Sequence, residues 1–400
     1  MQQIFLSCLT LALKAIDLTA IRWIVLLVLF CFMSACFKPS VLWIGIAEDQ
    51  TGPLSAISRE LDQGRRLTQL IYKQEAKTKS LLRFKSIDTL NSPEKTANAF
   101  RSLIDQHHVQ VLLGVPSSEC AQVARHIAEF RQIPFICNAY DSSLGSKTNK
   151  TIVFRQNPAQ MGSLTALYFF YVLKKNRLAV LYDEALLSTI QSSEAFLREG
   201  RLIGANMLEV TFSSFDRPAD WQVSWSKLQS ASPDLVFLAA DPSHYKDLLI
   251  IARKVLQIPA IFVLHHLPLA EDLETDPDLF DNTYFMLPFY DNKDKFLQSS
   301  FYQQYLDRFN QKPGYFSAQG HDEIVFLHEL MEADKNQTIS ERFRNLYSLT
   351  FDKDKFLTGF RGFAENGFSM HELDVLKMNQ GKLEYLGEFW METLSKGSQE

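Results

Sequence analysis

Short polar stretches directly after apolar runs hold the residues best suited to bind a small solute. Ser117 and Ser118 follow the run Val109 to Val115 and open a helical pattern reaching Phe130. A hydroxyl beside the first N–H groups of a helix makes an anion site, and the same serine can equally cap the helix. Asn138, Ala139 and Asp141 follow Pro134 to Cys137. Asp141 is of a type common in turns, and its carboxylate would repel an anion bound beside it. Asp241 ends the run Leu235 to Ala240, and His265 and His266 follow Ile261 to Leu264. A carboxylate there could hold a positive group. A histidine at a strand end is either a hydrogen-bonded structural residue or a ligand contact.

Other chemistry is missing from the sequence. There is no GxSxG, GxxxxGK[ST], HExxH or GxGxxG, so neither a nucleophile elbow nor a phosphate loop is written, and no enzyme activity or cofactor is expected. His321 and His328, seven apart, could join Asp322 and Glu329 as metal ligands, but an ordinary helix face is the favoured reading and no metal is expected. The cysteines are Cys8, Cys31, Cys36, Cys120 and Cys137, with no CxxC pair. Cys120 begins a helix and Cys137 ends a strand, so two buried thiols are expected there rather than a bridge. A formal charge of -5 and a pI near 6.0 give no basic footprint, which excludes nucleic acid as a partner.

The amino-terminal segment speaks of export. Trp23 to Met33 is an uncharged apolar run after Arg22, followed by Ser34-Ala35-Cys36 and then Lys38 and Pro39. That run suits a signal peptide, since a spanning helix needs about 20 apolar residues. Met33-Ser34-Ala35-Cys36 resembles the bacterial lipobox, in which the cysteine is diacylated and becomes the new terminus. Residues 1–35 are then a lipoprotein signal peptide, Cys36 the lipid anchor, and 36–40 anchor and linker. A short N-terminal membrane helix is the alternative.

From Val41 the chain alternates short apolar runs with amphipathic ones, as parallel strands joined by crossover helices do. Strands are expected at Leu42 to Ala47, Leu81 to Asp88, Val109 to Val115, Pro134 to Cys137, Leu178 to Tyr182, Leu235 to Ala239 and Ile261 to Leu264. Helices are expected at Ser92 to His107, opened by Ser-Pro-Glu, and at Ser188 to Gly204. Four hundred residues are too many for one simple core, so two lobes are expected. After Phe351, closely spaced glycines separate runs such as Asp374 to Met378 and Leu383 to Trp390, the pattern of an antiparallel meander.

These elements carry a recognisable pattern. Ile44-Gly45-Ile46 with Thr51-Gly52-Pro53 and Gly64, Asp88-Thr89 with Ser92-Pro93-Glu94-Lys95, Leu113-Gly114 with Ser117-Ser118, Phe154-Arg155 before Pro158 to Gly162, Pro233 to Phe237, and Gly320-His321-Asp322 occur in order. The chain resembles the branched-chain amino-acid (Leu/Ile/Val) binding family, the type I periplasmic binding proteins of ABC importers. The resemblance implies an α/β fold of two Rossmann-like lobes with parallel central sheets joined by three crossover strands. Lobe 1 would comprise 41–155 plus 287–350, and lobe 2 156–286 plus 351–395. A small ligand would be held between them by Ser117 and Ser118, by Asn138, Ala139 and Asp141, and by Asp241 and His265. The family's lobe 2 tyrosine and glycine fall on Leu187 and Ser188, and its acidic ammonium partner on His265 or His266. The implied protein is a monomeric, periplasm-facing lipoprotein of the bacterial cell envelope serving an ABC permease. The alternative is a sensory or envelope-interaction lipoprotein, for example an activator of a cell-wall synthase.

Overall fold

The structure, a computed structural model, describes residues 41–75, 81–139, 143–145, 150–217, 221–333 and 337–391. The signal segment, Cys36, Tyr140 and Asp141 lie outside the described residues. No described helix is long and apolar enough to cross a membrane.

The first sheet contains β1 (Val41–Glu48), β2 (Leu81–Asp88), β3 (Val111–Gly114), β4 (Phe135–Cys137) and β5 (Thr151–Val153), all parallel, in the order β2-β1-β3-β4-β5. Central strands β3 and β4 are buried along their whole length, which is why they read as unbroken apolar runs: helices cover both faces. The crossover helices span Ser55–Gln74, Pro93–Asp105 and Ser118–Arg131. The second of these is capped by the Ser92 hydroxyl, which accepts from the Lys95 amide at 3.4 Å, with Pro93 opening the first turn.

The second sheet holds β6 (Arg177–Asp183), β7 (Asn206–Phe212), β8 (Leu235–Ala239), β9 (Ile261–Leu264) and β10 (Thr283–Leu287) in parallel. A hairpin of β13 (Leu373–Asn379) and β14 (Lys382–Phe389) adds antiparallel to β10, giving the order β14-β13-β10-β9-β8-β6-β7. Apolar cores fill both faces of both sheets. The architecture is therefore two α/β lobes.

The chain passes between the lobes through Phe154 to Asn157, into a helix at Pro158–Leu167 that packs with β6, β8 and Phe196. It returns after β10, where Phe289, Phe296, Phe301 and Tyr305 pack with Leu67, Ile71 and Ala318 of the first lobe. The helix Tyr315–Glu332 then lies so close to Ser55–Gln74 that a Cβ on Gly64 would overlap the Ser317 carbonyl, and one on Gly320 the Leu61 carbonyl. Helices approach this closely only where side chains are absent.

One stretch departs from the expected division. Residues 351–371, assigned to lobe 2 from sequence, stay with the first lobe: Phe351, Phe356, Phe360 and Phe363 share a core with Ile136, Phe154 and Phe326. Phe154 and Phe360 stack at 5.0 Å. The buried Asp322 carboxylate also accepts from the amides of Leu357 and Thr358 at 2.8 and 2.9 Å. The strands β11 (Phe360–Phe363) and β12 (Ser369–His371) form a separate small sheet, and the chain crosses only at Glu372. The two later crossings are tied together by Lys293, 5% exposed, whose ammonium lies 3.0 Å from both Asp374 and Glu388.

Candidate functional site

Open α/β sheets gather their loops at the carboxyl ends of the strands, and there the predicted residues lie. In the second lobe β8 ends at Ala239 and is followed by Ala240, β9 ends at Leu264 and is followed by His265 and His266, and helices begin at Pro158 and Leu187. Between them is a cavity of about 140 Å³, lined by Pro158, Met161, Ser188, Thr189, Ser192, Ala239, Ala240, Tyr245, His265 and His266. Among the described residues its lining contains no carboxylate.

His265 is 6% exposed and its ring lies 4.3 Å from that of Phe237. Burial pushes its pKa well below the ordinary histidine value, and the neighbouring His266 adds to the shift; the ring is neutral at pH 7. Its Nε2 lies 2.9 Å from the Thr165 hydroxyl, which donates its single proton to the Met161 carbonyl at 2.8 Å. Thr165 therefore accepts from Nε2–H. That fixes the tautomer and leaves Nδ1 as an acceptor.

Tyr245 belongs to the short helix Tyr245–Leu249 and is fully buried. Its hydroxyl has no hydrogen-bond partner of good geometry in the protein, although the amides of His265 and His266 are near. Asp241, in contrast, is exposed and outside the lining. Its Oδ1 caps the turn Pro242–His244, accepting from the Ser243 amide at 3.0 Å and hydroxyl at 2.6 Å, and these bonds lower its pKa. Leu187 projects to solvent, whereas Ser188 lines the cavity.

In the first lobe Ser117 is the N-cap of Ser118–Arg131, but its side chain makes no capping bond. The Ser117 hydroxyl is buried with no partner in the protein, and Ser118 is half-buried at the first helical position. Asn138 and Ala139 are buried just past β4. The Asn138 side-chain oxygen accepts from Gln319 at 3.2 Å, and its amide lies within reach of the Glu323 carboxylate. Phe289 and Tyr290 are packing residues: Phe289 meets Phe296 at 4.9 Å and Tyr290 stacks on Tyr385 at 5.8 Å.

Arg155 connects the two sets, and sequence reasoning treated it only as a crossing point. It is 8% exposed, donates to the Asn138 carbonyl at 3.1 Å and lies over the Phe316 ring at 5.3 Å. His266 is solvent-exposed yet walled by protein; desolvation lowers its pKa, Asp241 opposes this, and the Arg155 charge lowers it further. The guanidinium thus stands between Asn138 of one lobe and His266 of the other. Tyr245 and Thr165 were missed because neither touches a strand end in sequence. The signal for Arg155 was its position beside Phe154 and directly before the run Gln156 to Gln160, which holds no charged and no large apolar residue.

The comparisons agree with this architecture. The leucine-binding protein of Thermotoga maritima has a TM-score of 0.59 at 19% identity, covering 88% of this chain and 99% of that one. A putative branched-chain amino acid ABC transporter protein of Rhodospirillum rubrum gives 0.74 at 16% identity, with 86% and 100% covered. A solute-binding protein of R. palustris, solved with benzoate, gives 0.58 at 15% identity, with 87% and 96% covered. At these identities the likeness concerns the fold. No curated protein matches the chain. Residues 42–382 match the model of the family described as periplasmic binding protein, and the chain belongs to that family.

Proposed function

We propose that this protein is an extracytoplasmic solute-binding lipoprotein, anchored by Cys36, that captures a small ligand between its lobes for an ABC importer. The observation that carries the reading is a set of buried polar groups without protein partners at the carboxyl ends of the strands. They are the Ser117 hydroxyl and the Gln156 side-chain amide, with the Tyr245 hydroxyl proton, which has no acceptor, in the second lobe. Native proteins pair nearly all such groups, so a concentration of orphans on both sides of Arg155 suits a polar solute that completes them. In this reading Ser117, Ser118, Asn138 and Ala139 contribute the lobe 1 contacts and His265 a lobe 2 contact, while Asp141 lies outside the described residues. Of the structures named above, one is a leucine-binding protein and one was solved with benzoate, which brackets the size of solute expected here.

A thermal-shift screen tests the proposal. At a concentration 100 times Kd a ligand specific for the folded state adds about 2.7 kcal/mol, a readily measured rise in Tm. No rise with any amino acid, aromatic acid or aliphatic acid at millimolar concentration would defeat the capture reading. Metabolic labelling with a fatty-acid probe tests the anchor: label retained by Cys36→Ser would exclude Cys36.

A further inference from the structure

Resting on that capture reading, we infer that the lobe 2 cavity receives the neutral, hydroxyl-bearing end of an acid that has no ammonium group, with His265 and Tyr245 as the specificity-determining pair. Three observations lead there.

The first is the absence of counter-charge. No carboxylate lines the cavity. The two nearest carboxylates lie outside the lining: Asp241, whose charge reaches Tyr245 and His266, is exposed and caps its own turn, and the buried Asp183 accepts through Oδ1 from the amides of Ala185 and Ser214 at 3.0 Å each, its Oδ2 being unpaired. An ammonium group moved from water into this cavity would lose hydration with no carboxylate in the lining to contact it.

The second is the hydrogen-bonding polarity of the two side chains. His265 is held by Thr165 with its proton on Nε2, so Nδ1 offers a lone pair to a ligand donor. Tyr245, fully buried on the same cavity, has the amides of His265 and His266 beside its oxygen and no acceptor for its proton, so it offers a donor. A hydroxyl complements the two together: it donates to Nδ1 and accepts from the tyrosine. An ammonium can only donate, leaving the tyrosine proton unused.

The third is the placement of positive potential. Arg155 stands at the crossing beside Asn138, and the sixteen-residue helix Leu187–Leu202 points its N-terminus at the cavity rim through Ser188. Both favour a carboxylate at the mouth rather than at the buried end. Met161, Ala239 and Ala240 supply the apolar wall between.

The test uses the whole mature domain and two matched probe series: 2-hydroxy-4-methylpentanoate, leucine and 4-methylpentanoate, then 4-hydroxybenzoate, 4-(aminomethyl)benzoate and benzoate. Calorimetric titration should rank the hydroxy acid first within at least one series and the ammonium compound at least about tenfold weaker, the discrimination expected when a site built for a hydroxyl meets a ligand that cannot pair it. Histidine side-chain nitrogen NMR adds a readout that mere packing would not move: His265 shows the Nε2-protonated tautomer in the free protein, and its Nδ1 resonance shifts with the hydroxy acid but not with the deoxy acid. Equal or tighter binding of the ammonium member overturns the inference while leaving solute capture intact. Silence of all six probes also overturns it, and the broader thermal-shift screen then tells whether capture itself fails. Tyr245→Phe should erase the preference for the hydroxyl while the protein remains folded.

Discussion

Gly162 of the helix Pro158–Leu167 lies against the main-chain carbonyl of Ser192 in the helix Leu187–Leu202, so close that a Cβ would overlap that oxygen. Both helices present their first turns to the cavity, and their contact fixes its width. Gly162→Ala must push them apart, because backbone cannot yield as a side-chain tip can. The expected cost is about 1–3 kcal/mol, with ligand affinity falling as well. Gly314→Ala is the control, since its Cβ would meet only Glu60 Oε2 at 3.6 Å; it should stay within about 0.5 kcal/mol of the parent. Urea unfolding of the two variants measures the difference, and equal stability would refute the close-contact argument.

Arg65, Glu48 and Glu323 form a buried ion triad under the first lobe. The guanidinium reaches Glu48 at 2.7 and 2.9 Å and Glu323 at 2.6 Å, with all three side chains at most 2% exposed. Arg65→Met leaves two carboxylates buried without a cation and should cost about 3–5 kcal/mol. Replacing both glutamates by leucine in the same variant should recover most of the loss, because an apolar set of similar volume carries no desolvation penalty. Chemical denaturation distinguishes the outcomes, and no recovery in the triple variant would point to shape rather than charge.

Much of this arrangement was readable before any coordinates, because helix and strand periods are local. The runs at Leu81 to Asp88, Leu235 to Ala239 and Ile261 to Leu264 coincide with β2, β8 and β9. Gly64, Gly162 and Gly320, which belong to the family pattern in the sequence, are close helix contacts. Some signals were weak: β5 has three residues, β7 is a half-exposed edge strand, and β10, though buried, lies between polar turns. The destination of Phe351 to Phe363 was hidden for a different reason. Their partners Phe154 and Phe326 are distant in sequence, and no local pattern records which of two cores will accept a phenylalanine. The cavity was half legible: strand ends pointed to His265, but Tyr245 enters from a short helix with no periodicity, and the choice of Thr165 as its neighbour's partner is tertiary.

His328 makes stability depend on pH. It stacks on Tyr72 at 4.4 Å, is 4% exposed, and neither ring nitrogen has a partner. Burial holds its pKa down to about 4, with the Glu332 charge opposing by less. The folded state therefore refuses a proton that the unfolded chain accepts below about 6.5. Stability from this residue is complete above that pH and is lost as pH falls toward 4, by about 3 kcal/mol in all. His328→Phe removes this loss. At pH 7.5 the variant should be as stable as the parent or more so, since an apolar ring replaces two unpaired nitrogens. Between pH 6.5 and 5 its stability should fall less steeply by roughly one proton's worth, about 1.4 kcal/mol per pH unit. Denaturant midpoints across that range decide it, and parallel curves would show that His328 keeps its proton in both states.

The adjacent serines separate capping from binding. Ser117 sits at the N-cap without a side-chain capping bond, and its hydroxyl is buried and unpaired; Ser118 opens the helix beside it. Ordinarily a serine cap contributes about 1 kcal/mol, and alanine there loses it. Here no such bond exists, so Ser117→Ala should leave the free protein unchanged within about 0.5 kcal/mol or stabilise it slightly, by removing a buried polar atom that has no partner. Ligand binding should respond in the opposite sense. If a solute carboxylate accepts from these hydroxyls, each alanine removes a charge-assisted hydrogen bond worth about 1.5–3 kcal/mol, and affinity falls roughly tenfold to a hundredfold. Titration with a ligand found in the thermal-shift screen measures one quantity, and unfolding of the empty protein measures the other. A destabilised Ser117→Ala with wild-type affinity would assign the serines to the helix alone. Unchanged stability with weakened binding would place the solute's anionic end against the N-terminus of Ser118–Arg131.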